Sequence, residues 1–159
     1  MTTAYVGLGA NIGDPRRQLD LAIEALKRLP ETEIVQVSGI YKSAPMGYLD
    51  QPDFFNAVAR LETKLEPEQL LGHLQEIEQR QGRDRPFSGA PRTLDLDLLL
   101  YGDRILDTPR LTLPHPRMHE RAFVLEPLVE IAPQAAIPGR GRAVELLAGC
   151  TQQRVKKVA

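Results

Sequence analysis

The sequence predicts an α+β fold: a ferredoxin-like α/β sandwich with a mainly antiparallel sheet, its helices on one face, and additional C-terminal helices. Three observations predict it. Stretches of strand-like alternation and stretches of helical apolar spacing succeed one another in the order β-α-β-β-α-β. Both helical stretches open on a proline, Pro15 and Pro67, which suits the first turn of a helix. No internal repeat or low-complexity tract interrupts the 159 residues, a length that fits one domain over 1–159 with a sizeable core.

In chain order, Ala4-Tyr5-Val6-Gly7-Leu8-Gly9 reads as a first, buried strand, and Gly9 to Gly13 as a tight turn. Asp14 caps a helix whose Leu19, Ile23, Leu26 and Leu29 form one apolar stripe, ended by Pro30. Glu33 to Tyr41 alternates loosely as a second strand, and Phe54 to Glu62 resumes alternation as a third. The second helix runs from Pro67 to about Gln81, the spacing of Leu70, Leu71, Leu74, Ile77 and Glu78 giving a core stripe beside a polar one, with Gly82 as its stop. After Gly102 come a short strand at Arg104-Ile105-Leu106 and short helices around 123–130 and 144–148. The long breaker-rich connections at about 42–53 and 82–91 read as mobile loops, since loops of that length in a compact domain are usually functional.

The stretch with most chemistry is Pro91-Arg92-Thr93-Leu94-Asp95-Leu96-Asp97-Leu98-Leu99-Leu100-Tyr101-Gly102. As a regular strand it puts Leu94, Leu96, Leu98 and Leu100 on one face and Asp95, Asp97, Leu99 and Tyr101 on the other. Two carboxylates at i and i+2 have Cα atoms roughly 7 Å apart and repel unless a cation arrives. Mg²⁺ suits them, because it takes one or two carboxylates and fills its shell with water and substrate phosphates. The competing reading is a half-exposed edge strand with its polar residues turned to solvent. Arg83, Arg85, Arg92, Arg110, His115, Arg117 and Arg121 lie near this strand in sequence. Guanidinium forks match phosphate oxygens, so arginines converging on an acidic pair suggest a polyphosphate bound as its metal complex.

Composition removes other classes. A net charge of −1 and a pI of about 6.3 provide no field for nucleic acid or an anionic membrane. The apolar runs fall far short of a bilayer span, and the single Cys150 rules out a disulfide framework or thiolate metal cluster. These features suit a cytoplasmic globular protein. Gly7, Gly9 and Gly13 miss the dinucleotide-binding spacing, and no phosphate-loop motif occurs. His115 and His119 have a zinc-like spacing, but Pro114 and Pro116 disfavour a helix through them.

Four blocks together resemble the 6-hydroxymethyl-7,8-dihydropterin pyrophosphokinase family of the folate pathway. They are the 91–102 stretch, Gly9-Ala10-Asn11-Ile12-Gly13-Asp14, Asp50-Gln51-Pro52-Asp53-Phe54-Phe55-Asn56-Ala57, and Leu113-Pro114-His115-Pro116-Arg117-Met118. The resemblance spans about Ala4 to Pro133. It implies transfer of pyrophosphate from Mg-ATP to the pterin hydroxymethyl group, releasing AMP. It assigns two Mg²⁺ ions to Asp95 and Asp97, and a catalytic role to these with Arg83 and Arg92. It implies ATP contacts from Gln75, Glu78, Arg83, Arg92, Arg110, Thr112, His115 and Arg121. It implies pterin contacts from Ser43, Ala44, Met46 and Asn56, with Phe54 and Phe123 sandwiching the ring. It also implies a monomer acting on small molecules, with no nucleic-acid or membrane partner, and lids at the two long loops.

The sequence departs from the family pattern in places. The second loop is one residue shorter than in some members, with Ser88-Gly89 where a basic-aromatic pair is frequent. Ser43-Ala44 replaces Thr-Pro, Phe54 replaces Tyr, and Pro116 stands where some relatives carry Tyr. No general base is identifiable. The competing classes are a non-catalytic ferredoxin-like binding module and an Mg-ATP transferase with another acceptor.

Overall fold

The computed structural model describes residues 1–45, 50–82 and 94–159. The expectation of mobile loops at 42–53 and 82–91 falls largely on the remaining residues and lies outside the described ones, as do Met46, Arg83 and Arg92.

Strand β1 (Thr2–Ala10) runs into helix α1 (Pro15–Lys27), where Asp14 Oδ1 accepts a hydrogen bond from Arg17 N at 3.3 Å. Next come β2 (Thr32–Val37), β3 (Tyr41–Ser43), β4 (Phe54–Thr63), α2 (Pro67–Arg80) and β5 (Asp95–Tyr101). A small hairpin of β6 (Leu106–Asp107) and β7 (Thr112–Leu113) leads through a single 3₁₀ turn (Met118–Glu120) into α3 (Ala122–Ile131). The chain closes with β8 (Ala136–Ile137), β9 (Gly141–Arg142), α4 (Ala143–Ala148) and β10 (Val155–Lys157).

The main sheet has the order β10-β3-β4-β1-β5, with β2 also paired to β4, and every pairing in it is antiparallel. The expected second strand, 33–41, is divided. β2 pairs the C-terminal half of β4 and β3 its N-terminal half, and Ser38 bridges the break by exchanging bonds of 2.9 Å with Val58.

Helices α1 and α2 pack on one face through Leu19, Leu26, Leu70, Leu74 and Ile77, against Val6, Leu8, Leu61, Leu96 and Leu98. The expectation that the helices share a single face is corrected by α3. Its Val124, Leu125 and Leu128 cover Val58, Leu99 and Leu100 on the opposite side, with Ala143 at the head of α4 joining the same core. Val58, Leu99 and Leu100 are too apolar to face water, so a second layer must bury them.

The regular alternation expected for β5 is also corrected. Its pairing with β1 shifts register between Tyr5 and Val6, which face Leu100 and Leu98, leaving Leu99 as an extra residue. Such a bulge reverses the facing of all that follows. Leu96, Leu98 and Tyr101 therefore share the α1/α2 core, whereas Leu99 and Leu100 face α3.

Candidate active site

Pairing across the sheet decides which side chains meet, because directly opposed residues point to the same face. Asp95 lies opposite Gly9, Gly9 opposite Asn56, and Asn56 opposite Tyr41. One step along, Asp97 lies opposite Gly7 and Gly7 opposite Val58, which belongs to the α3 core. Asp95, Asp97 and Asn56 thus share the α3 face, and Ser43 and Phe54, paired with each other, extend it. Between Asp95 and Asn56, β1 presents only hydrogens. A Cβ on Gly9 would stand 3.4 Å from Asn56 Oδ1. Gly9 keeps the way clear from Asp95 to the amide, whereas Gly7 lies under Leu99, whose side-chain carbons stand 3.4–3.6 Å from where a Gly7 Cβ would be.

Asn56 is buried and anchored, its Nδ2 donating to Ser43 Oγ at 2.8 Å, which leaves Oδ1 directed over Gly9. Asn11, also buried, directly follows β1 and donates to Gln51 Oε1 at 2.7 Å and Pro52 O at 3.2 Å. Ala44, just after β3, is exposed; Phe54 and Phe123 are half-buried.

The cations arrive from 115–121. His115 is fixed by its backbone N–H, which donates to Leu99 O at 2.9 Å. Its Nδ1 accepts from Arg117 N at 3.2 Å, so the ring proton sits on Nε2, 4.0 Å from Asp97 Oδ1. Burial and then the Arg121 guanidinium push the imidazole pKa down to about 4, against an opposing pull from Asp95. The His115–Asp97 approach is therefore a neutral N–H beside a carboxylate rather than an ion pair. Half-buried Arg121 is the full cation here, within the fields of Asp97 and Asp95 and 5.5 Å from the Phe123 ring centroid.

A third group comes from α2 and the hairpin. Arg110 crosses α2 at Gly72, its Nη2 3.6 Å from where a Cβ would stand, one helical turn from exposed Gln75. Thr112 is half-buried on β7. Glu78 faces inward at 3 % exposure, and its Oε2 accepts from Leu96 N, between the two aspartates, at 2.8 Å.

Asp95, Asp97, His115, Arg121, Asn56 and Ser43 are therefore brought together. Arg110 and Gln75 lie on α2's outer side, and Glu78 is applied to the strand backbone. Sequence reasoning missed the part played by Gly9, which leaves the approach between Asp95 and Asn56 open. Among the described residues no three His, Cys, Asp or Glu side chains gather as an all-protein metal cage. Two carboxylates on one face suit a hard ion that keeps water and phosphate ligands. No described helix is long and apolar enough to cross a membrane.

The model of the family described as 7,8-dihydro-6-hydroxymethylpterin-pyrophosphokinase matches residues 5–133. The chain is 49% identical over 154 residues to the 2-amino-4-hydroxy-6-hydroxymethyldihydropteridine pyrophosphokinase of Pseudomonas aeruginosa, covering 97% of this chain and 95% of that one. It is 49% identical over 147 residues to the Haemophilus influenzae protein of the same name, covering 92% of each. Among solved structures, an HPPK-DHPS crystallised with substrates superposes with a TM-score of 0.73 at 13% identity, over 95% of this chain but only 44% of that one. Plasmodium falciparum HPPK-DHPS with pteroate gives 0.74 over 93% and 42%. These longer proteins share the fold, and this chain spans less than half of their length. With the family model covering most of the chain and close relatives matching nearly end to end, the chain belongs to the 7,8-dihydro-6-hydroxymethylpterin-pyrophosphokinase family.

Proposed function

We propose a division of labour for the reaction this ATP-dependent pyrophosphokinase catalyses: transfer of pyrophosphate from Mg-ATP to the hydroxymethyl group of 6-hydroxymethyl-7,8-dihydropterin, in folate biosynthesis. Asp95 and Asp97 hold two Mg²⁺ ions, which when bound offset charge on the triphosphate. Arg121 and the Nε2–H of His115 contact phosphate oxygens from the neighbouring turn, joined by Arg83 and Arg92, while Gln75, Arg110 and Thr112 bind the remainder of the nucleotide. Asn56 hydrogen-bonds the pterin, Ser43, Ala44 and Met46 line its pocket, and its ring lies between Phe54 and Phe123. Glu78 serves the nucleotide side by bracing β5.

The hydroxymethyl oxygen forms a bond to the β-phosphorus, the bond from that phosphorus to the α,β-bridging oxygen breaks, and AMP departs with that oxygen. The hydroxyl proton is lost in the same exchange, and no base is assigned to it. Arg121 favours the transition state because a fixed cation beside the transferring group needs no reorganisation as charge develops. The reading includes a cytoplasmic monomer, which the single cysteine and the family resemblance support.

One observation carries this reading: Asp95 and the Asn56 amide face each other across Gly9, with Asp97 on the same sheet face. The test is nucleotide product analysis with purified protein. AMP is expected only when pterin and Mg²⁺ are both present. ADP would mean γ-phosphoryl transfer, and no turnover by folded protein would favour a binding module.

A further inference from the structure

The C-terminal segment lies outside the residues the family model matches, and its contacts reach both halves of the site. Arg121 occupies the N-cap position of α3 with φ −113° and ψ 107°, and its side chain makes no capping bond. An arginine has only donors, so it cannot satisfy the first helical N–H groups as Ser, Asp or Asn would. The acceptor comes from 31 residues downstream instead: Gln153 Oε1 accepts from Ala122 N at 2.8 Å. The same carboxamide donates through Nε2 to Glu120 O at 2.7 Å. Gln153 thus grips the backbone immediately before and after Arg121.

Gln153 is itself placed at both ends. Its N–H donates to Cys150 O at 3.3 Å, and two residues on, β10 pairs with β3, Val155 opposite Ser43 and Lys157 opposite Tyr41. Ser43 is the residue that anchors Asn56. One short segment therefore ties the turn bearing Arg121 and Phe123 to the strand behind Asn56.

We propose that Gln153 is a positioning residue: by clamping the Glu120–Ala122 backbone it aims the Arg121 guanidinium at the Asp95–Asp97 pair. The inference rests on the phosphate-contacting role proposed for Arg121. It explains how a helix start can carry a cation where chemistry needs one: the capping acceptor is supplied from elsewhere in the chain.

The test is a cycle of Gln153→Ala, Arg121→Ala and the double variant, with kcat, KM for each substrate, melting temperature and amide hydrogen exchange at Ala122. Gln153→Ala should speed exchange at Ala122 and lower kcat roughly ten- to a hundredfold, the scale of a small misplacement of a catalytic group. In the Arg121→Ala background it should change kcat less than about twofold, since coupled residues are not additive. Gln153→Glu, which keeps the acceptor and loses the donor, should fall between. Unchanged Ala122 exchange would overturn the clamp. An equal loss of kcat in both backgrounds, or a kcat loss accounted for by unfolded protein, would overturn the positioning role. If Arg121→Ala keeps full turnover while Ala122 exchange still responds to Gln153→Ala, the role of Arg121 falls and takes the positioning role with it.

Discussion

Burial and the Arg121 guanidinium hold the His115 imidazole at about 4, although Asp95 pulls it the other way. An unfolded histidine titrates near 6.5, so below that pH the unfolded chain takes up a proton that the folded one refuses. The contribution of His115 to folding is complete above about 6.5 and is lost as the pH falls towards 4, at up to about 1.4 kcal/mol per pH unit. Urea unfolding of the nucleotide-free protein across this range should show that slope, and His115→Gln should flatten it. Identical slopes would mean that the ring is not held neutral. At physiological pH His115 is then neutral, and in the role proposed for it would offer a phosphate an uncharged donor and leave the positive charge to arginine. Asp97→Asn keeps the shape and removes a negative charge. It should lower kcat roughly a thousandfold, the several kcal/mol a bound cation supplies, while the melting temperature stays near that of the parent. A fall of less than tenfold would remove Asp97 from the metal set.

At the scale of elements, β5 is an edge strand that must stay straight enough to present two carboxylates. Glu78 braces it from α2, accepting from the backbone of the residue between them. Glu78→Ala leaves that N–H without this acceptor and should cost about 1–3 kcal/mol in chemical denaturation, with Glu78→Gln losing less. In β1, Gly9→Ala places a methyl at ordinary contact distance from Asn56, so the protein should fold normally. The added methyl should raise KM for the pterin, and an unchanged KM would mean the substrate does not pass over Gly9. Much of this was legible beforehand. Period-two spacing assigns Asp95 and Asp97 to one face, and Pro15, Pro67 and Gly82 mark helix ends that the structure reproduces within a residue or two. Other features were not. Leu98-Leu99-Leu100 satisfies either face, so hydrophobicity carries no information on where alternation breaks. The stripe spacing includes Glu78, but nothing local says that a backbone N–H awaits its carboxylate. Gln153 acts 31 residues away, beyond any periodicity.

For the molecule as a whole, the sheet is buried differently on its two sides. Helices α1 and α2 cover one side. On the other, α3 covers Val58, Leu99 and Leu100, while Asp95, Asn56 and Ser43 lie further toward the sheet end where β5 begins. The α3 core is thus a support adjoining the site. Leu128, fully buried there, should cost about 2–5 kcal/mol when truncated to Ala, seen in urea unfolding. Turnover per folded molecule should be nearly retained, and a matching collapse of kcat would show the support and the site to be one unit.

The extra residue in β5 also bears on what change the strand can tolerate. It divides one strand into two segments with opposite phase, Asp95 to Leu98 and Leu100 to Tyr101. Deleting Leu99 would put the two segments back in step with Leu98 and Tyr101 still on the α1/α2 side and Leu100 still on the α3 side, so that the change removes one buried leucine from the α3 core and turns no other side chain over. The aspartates would keep their seats, because they lie upstream of the phase change. A deletion between Asp95 and Leu98 should therefore abolish turnover by turning an aspartate over, whereas deletion of Leu99 should keep the site and lower stability by one core leucine, read as kcat against urea unfolding.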